Sequence, residues 1–167
     1  RVYDITVVGR PSSSGNGPRM TTLESVLFDS GRPALIAPPK ALPTFGDNVV
    51  ISWNCSSESA RTVDFAKPLI LGAKQVTVLT VLGSTVPGPS GADLVEYLAT
   101  HGVKAKEVTV PADDRKPGIA ILEEAGRLGA DLLVKGAYTQ SRLRQMIFGG
   151  ATSQILAATG LPVVMAN

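Results

Sequence analysis

Two kinds of block alternate along this chain. Short apolar runs, four to eight residues long and rich in Val, Ile and Leu, cover Asn48–Trp53, Val76–Leu82, Asp131–Lys135 and Pro162–Met165. A fifth, Ala105–Val110, alternates apolar and polar residues and suits a strand nearer an edge. Between them lie longer stretches with helical spacing: Ser56–Leu71, Ser90–His101, Pro117–Leu128 and Ala151–Ala158. Start and stop signals flank these stretches. Ser56 or Ser57 suits an N-cap, with Glu58 in the first turn, and Gly102 and Gly129 follow two of the helix ends. In the third helix Ile121, Leu122, Ala125 and Leu128 fall on one side. Strand and helix in strict alternation, with apolar strands, predict a parallel sheet covered by helices on both faces. Right-handed crossovers then leave few topologies.

The start of the chain repeats its end. Tyr3-Asp4-Ile5-Thr6-Val7-Val8-Gly9 matches Ala130-Asp131-Leu132-Leu133-Val134-Lys135-Gly136. Val26-Leu27, Gly31 and Pro33-Ala34-Leu35-Ile36 match Ile155-Leu156, Gly160 and Pro162-Val163-Val164-Met165. Asp4 and Asp131 are 127 residues apart, and Gly31 and Gly160 are 129 apart. That spacing is the size of a domain, not of a solenoid repeat. Residues 1–39 therefore read as the closing strand-helix-strand of a first copy, and residues 40–167 as a complete second copy. Pro38, Pro39 and Pro43 punctuate the join. The run Ser12–Gly17 reads as a flexible loop. Starting at Arg1, already in a strand-like run, the chain reads as a piece of something longer.

Composition narrows the function classes. The 167 residues carry a net charge of +2, which gives no basis for a nucleic-acid or acidic-membrane partner. No apolar run approaches the ~20 residues of a membrane helix. One cysteine builds neither a disulfide framework nor a metal cluster, and a reducing, cytoplasmic setting is the default expectation.

The strongest chemical signal is Gly136-Ala137-Tyr138-Thr139, nine residues, then Gly149-Gly150-Ala151-Thr152. It joins a strand end to a helix start. Glycines there let backbone N–H groups approach an anion, the helix N-terminus favours negative charge, and Arg142 and Arg144 are placed to face phosphate. The alternative is a loop that needs its glycines for geometry alone. Asn54 sits at the carboxyl end of the first strand of the complete copy, where open α/β sheets bind ligands. It suits either a ligand contact or a turn before a helix cap. Cys55 stands in that turn in place of a glycine. Ser56 and Ser57 suit capping, as do Asp113 and Asp114 before Pro117. His101 suits a helix end, and Trp53 suits packing beside the sheet. No acid-base pair, activated nucleophile or metal cluster is visible, so the chain reads as a binding protein and not an enzyme.

These motifs resemble the universal stress protein family, in which Gly-x-x-Gly, nine residues and Gly-Ser/Thr lie between the fourth strand and the fourth helix. The chain keeps Gly136 and Gly149, and departs at Thr139, where glycine is expected, and at Gly150, where Ser or Thr is expected. The resemblance spans residues 47–167 and, through the repeat, residues 1–37. It implies an adenine nucleotide alpha hydrolase-like fold: an open parallel five-stranded sheet, order 3-2-1-4-5, with helices on both faces, plus a partial second copy. It implies stress-response binding or regulation with ATP or another adenine nucleotide as ligand and no metal held by protein side chains. The site would be Asn54, Gly136, Thr139, Arg142, Gly149, Gly150, Ala151 and Thr152. Where ATP-binding members usually carry Asp, this chain has Asn54. The resemblance also implies a homodimer or internal pseudo-dimer through last strands, Ala34–Ala37 beside Val163–Ala166. Two alternatives stay open: a member that binds no nucleotide and acts through a protein partner, and an enzyme of similar fold such as an adenine nucleotide hydrolase.

Overall fold

Apolar blocks become strands and amphipathic blocks become helices in the computed structural model, which describes residues 2–11, 18–138 and 150–167. In chain order the elements are β1 (Thr6–Gly9), α1 (Met20–Asp29), β2 (Ala34–Ala37), β3 (Asn48–Ser52) and α2 (Ser57–Gly72). Then come β4 (Gln75–Leu82), α3 (Gly91–Thr100), β5 (Ala105–Pro111), α4 (Pro117–Arg127) and β6 (Leu132–Gly136). The last two are α5 (Ala151–Ala158) and β7 (Val163–Ala166).

Side-chain alternation along the buried strands divides the core in two. One face of the sheet carries Val50, Leu79, Val81, Leu133 and Met165 and is covered from α1, α4 and α5 by Leu23, Leu27, Ile121, Ala125, Ile155 and Leu156. The other carries Val49, Ile51, Val78, Leu132 and Val134 and is covered from α2 and α3 by Val63, Ile70, Leu94 and Leu98. A strand buried on both faces favours apolar residues along its length, which is why β3, β4 and β6 are mostly apolar, with Thr77, Thr80 and Lys135 among the buried exceptions.

The expected five-stranded sheet with a partial second copy is corrected. Among the described residues there is one sheet of seven strands, in the order β1-β2-β7-β6-β3-β4-β5. The strands from residue 48 onward run β5-β4-β3-β6-β7 within it, all neighbours parallel. β2 then adds to β7 antiparallel, with Ala34 opposite Met165 and Ile36 opposite Val163, and β1 adds to β2 in parallel. An apolar strand with an open edge exposes unpaired backbone donors and acceptors, and β2 satisfies those of β7. Residues 2–37 thus extend the same sheet. Arg10 fastens this edge from below, donating from its guanidinium to the Ala157 and Thr159 carbonyls at the C-terminus of α5. A cation suits that end of a helix dipole. Ser12–Gly17 lies outside the described residues.

The caps bear on the chain's path into the site. Ser56 is the N-cap of α2 and accepts from the Ser59 amide at 3.2 Å. Ser90 and Asp93 form a reciprocal capping box on α3. The cap expected from Asp113 and Asp114 does not form: Lys116 precedes α4, with no side-chain cap, and Asp113 pairs with Arg115 at 3.6 Å. Asp131 clips the opposite end of the sheet. Burial pushes its carboxyl up, but hydrogen bonds from Thr44 and from the Asn48, Asp47 and Gly46 amides outweigh this and hold it below the usual range.

Candidate functional site

β3 has β4 on one side and β6 on the other, so the chain leaves its end in one direction and returns from the other. A crevice forms at such a switch, outside the carboxyl ends of the strands. At this switch the turn after β3, the end of β6 and the start of α5 come together. Ser52 pairs with Lys135, so the residues following each, Trp53-Asn54 and Gly136-Ala137, leave the sheet side by side.

The turn after β3 is shaped by its own side chains. Cys55 takes φ 68°, a glycine-like conformation, as its place in the turn predicts. Asn54 turns its Oδ1 inward, accepting from the Ser59 hydroxyl and, at 3.4 Å, from the Ser56 amide. This is the turn-and-cap role weighed in the sequence. The loop after β4 lies across the turn: Val86 N–H donates to the Asn54 carbonyl at 3.0 Å, and Trp53 Nε1–H donates to the Pro89 carbonyl at 2.9 Å. Burial, and then the Asp93 carboxylate, push the Cys55 thiol pKa up, away from a reactive thiolate.

Gly136 has a structural reason of its own. A Cβ at this position would lie 2.5 Å from the Ser59 amide nitrogen and 2.7 Å from the Glu58 carbonyl carbon. The glycine lets the N-terminus of α2 pack directly onto the end of β6. Its closest neighbour is thus a helix backbone.

Gly150, Ala151 and Thr152 open α5. Gly150 is the N-cap and supplies no side-chain hydrogen bond to the exposed amides. Thr152 is buried, and its Oγ1 accepts from the Tyr138 amide at 3.3 Å and from Lys135 Nζ at 3.2 Å. Tyr138, at φ 56°, packs its ring on Phe28 of α1 with centroids 5.2 Å apart, so the added N-terminal segment reaches this corner. Of the expected site residues, the structure brings Gly136, Gly150, Ala151 and Thr152 to one corner, with Asn54 on the adjoining strand end. Thr139, Arg142 and Gly149 lie outside the described residues.

Sequence reasoning passed over Lys135. It is 7% exposed, on the face shared with Leu133 and Ala137, and Nζ donates to the Gly136 carbonyl at 2.6 Å as well as to Thr152. Burial pushes its pKa down to about 8. The signal was present: a lysine inside the apolar run Leu132-Leu133-Val134-Lys135-Gly136. Among the described residues, no group of three His, Cys, Asp or Glu side chains is placed to hold a metal.

A cleft of about 500 Å³ opens on the opposite face between α2 and α3, beside Trp53, Val63, Leu94 and Tyr97. Its rim carries Asp64 and Asp93, which suits it poorly to an anion. Asp64 is paired with Lys67 at 2.7 Å, and Asp93 belongs to the α3 capping box.

Fold and site together define an open α/β domain with a candidate site at the switch between β3 and β6. Comparison with known proteins gives the family. The profile of the Universal stress protein family matches residues 47–167, and the chain belongs to that family. Universal stress protein Slr1230 of Synechocystis sp. (strain ATCC 27184 / PCC 6803 / Kazusa) is 24% identical to it, over 97% of this chain and 57% of that protein. A universal stress protein from Archaeoglobus fulgidus DSM 4304 superposes with a TM-score of 0.73 at 20% identity, over 99% of this chain and 61% of that one. A universal stress protein solved in complex with cAMP superposes with a TM-score of 0.55 at 22% identity, over 74% of this chain and all of that one. The chain thus spans less than two thirds of the length of the first two.

Proposed function

We propose that the chain is a stress-response binding and regulatory protein, without turnover chemistry, that takes an adenine nucleotide such as ATP at the edge between β3 and α5. One observation carries this reading. The uncapped N-terminus of α5, with Thr152 in its first turn, stands at the switch point of the sheet beside the ends of β3 and β6. A helix start at that place favours phosphate. A neighbour of the same fold was solved with cAMP, an adenine nucleotide. Isothermal titration calorimetry of ATP, cAMP and adenosine against the purified chain tests the reading. Saturable, stoichiometric heat is expected for ATP, and its absence for all three ligands would remove the nucleotide.

A second reading has its own support. Asn54 Oδ1 is engaged by Ser56 and Ser59, and α2 fills the space beside Gly136. Both features fit a family member that binds no nucleotide and acts through protein contacts. We also propose that the β2–β7 contact stands in for a two-fold strand contact, so that the chain is a pseudo-dimer in itself. Since β6 and β2 occupy both edges of β7, sedimentation should show a species near 17.4 kDa. A dimer weakened by substitutions in β7 would overturn this assignment.

A further inference from the structure

Lys135 is a buried cation without a buried anion. Among the described residues it takes part in no ion pair, and its hydrogen bonds go to one carbonyl and one hydroxyl, both neutral. A buried charge is ordinarily paired, because removing it from water costs several kcal/mol. After Asp131 the chain contains no Asp or Glu, and its charged side chains are Lys135, Arg142 and Arg144.

The hydroxyl of Thr152 has hydrogen-bonding capacity left over. A threonine oxygen has two acceptor sites and one hydrogen to donate. Tyr138 N–H and Lys135 Nζ occupy both acceptor sites. The hydrogen is therefore left to point elsewhere, and it has no acceptor among the described residues. Thr152 lies in the first turn of α5, beside amides that the N-cap Gly150 leaves without a side-chain partner.

We infer that Lys135 is a positioning residue for a phosphate group at the first turn of α5: it holds Thr152 as a hydrogen-bond donor to the phosphate and supplies the buried positive charge that balances it. The inference deepens the nucleotide reading and rests on it for the phosphate's carrier. The anion site itself is testable without a nucleoside. A neutral Lys135 amine could accept from Thr152 and withdraw that hydrogen from the ligand. Burial places this change near pH 8, and a bound dianion pushes it higher.

The test is calorimetry of the whole chain with inorganic phosphate, ATP and adenosine, on wild type, Lys135→Met and Thr152→Val. Both variants nearly preserve volume. Each is expected to weaken phosphate and ATP by about tenfold and to leave adenosine unchanged. Lys135→Met should melt no lower than wild type, because it removes an unpaired charge. ¹⁵N NMR of the Lys135 ammonium in wild type gives a reading that does not depend on any variant folding: saturating phosphate should move its titration to higher pH. If phosphate leaves that titration unmoved, or binds wild type and Lys135→Met equally, the inference fails. Phosphate binding with these sensitivities, but ATP no tighter than phosphate, upholds the anion site and removes the nucleotide. Binding of ATP and adenosine alike, with none of phosphate, removes the anion site and keeps the nucleoside.

Discussion

Gly136 and Lys135 are adjacent, yet side-chain alternation gives them opposite faces and opposite tasks. Gly136 faces the N-terminus of α2, where a methyl group would fall 2.5 Å from the Ser59 amide nitrogen. Gly136→Ala should therefore destabilise the protein by about 1–3 kcal/mol through overpacking. Urea unfolding monitored by Trp53 fluorescence measures this, and an unchanged midpoint would show that α2 gives way freely. Lys135 faces the α5 side, where burial pushes its pKa down to about 8 from a usual value of 10.5. The unfolded chain then holds a proton between those two values that the folded chain has released. Stability gains from this residue as pH rises through that window, by on the order of 3 kcal/mol, and below it the full cost of the buried charge is present. The difference in unfolding free energy between Lys135→Met and wild type should shrink from pH 7 to pH 10. A difference independent of pH would place the ammonium in contact with water. In the sequence, Gly136 was legible as a glycine with a purpose, but the purpose reads differently once α2 is in place.

At the scale of elements, the outermost strands are the least covered. β1 is one of these, and Val7 on it is 63% exposed, whereas Val134, its match in the internal repeat, is 1% exposed between the sheet and α2. The repeat therefore tells which residues form the strand and not what covers it. Arg10 compensates in part, holding two carbonyls at the end of α5. Arg10→Met should cost about 1–2 kcal/mol and speed hydrogen exchange of the β1 and β2 amides ahead of those in β3 and β4. Exchange rates equal to wild type across β1 and β2 would assign the docking of this edge to the β2–β7 pairing and the apolar core residues Leu23, Leu27 and Ile36 without Arg10. Capping was partly legible: Ser56 and the Ser90 helix start are local patterns, readable within four residues. The failed cap at Asp113 is also local, since that residue takes φ 53° and turns to Arg115.

For the whole molecule, the seven strands make one continuous sheet, and α1 shares a core with α4 and α5. Unfolding should then be a single cooperative transition. Trp53 fluorescence reports the face under α2 and α3, and far-ultraviolet circular dichroism reports the whole chain. Their urea midpoints should coincide. An earlier transition seen by circular dichroism alone would mean that β1, α1 and β2 come away first, as a separate unit. The family match covers residues 47–167, and the β2–β7 pairing places the residues before it on the same sheet.

By itself the sequence determined the alternation of strand and helix, the parallel core with helices on both faces, the strand-helix-strand character of the first residues, and the family. These follow from local periodicity, caps and short motifs, each written within a few residues. Tertiary structure decided that β2 closes the edge of β7 to give seven strands, that α2 occupies the space beside Gly136, and that Lys135 is buried behind Thr152 without a carboxylate. Each of these depends on partners far away in the chain. Periodicity says that a face is covered, but only the folded chain says by what.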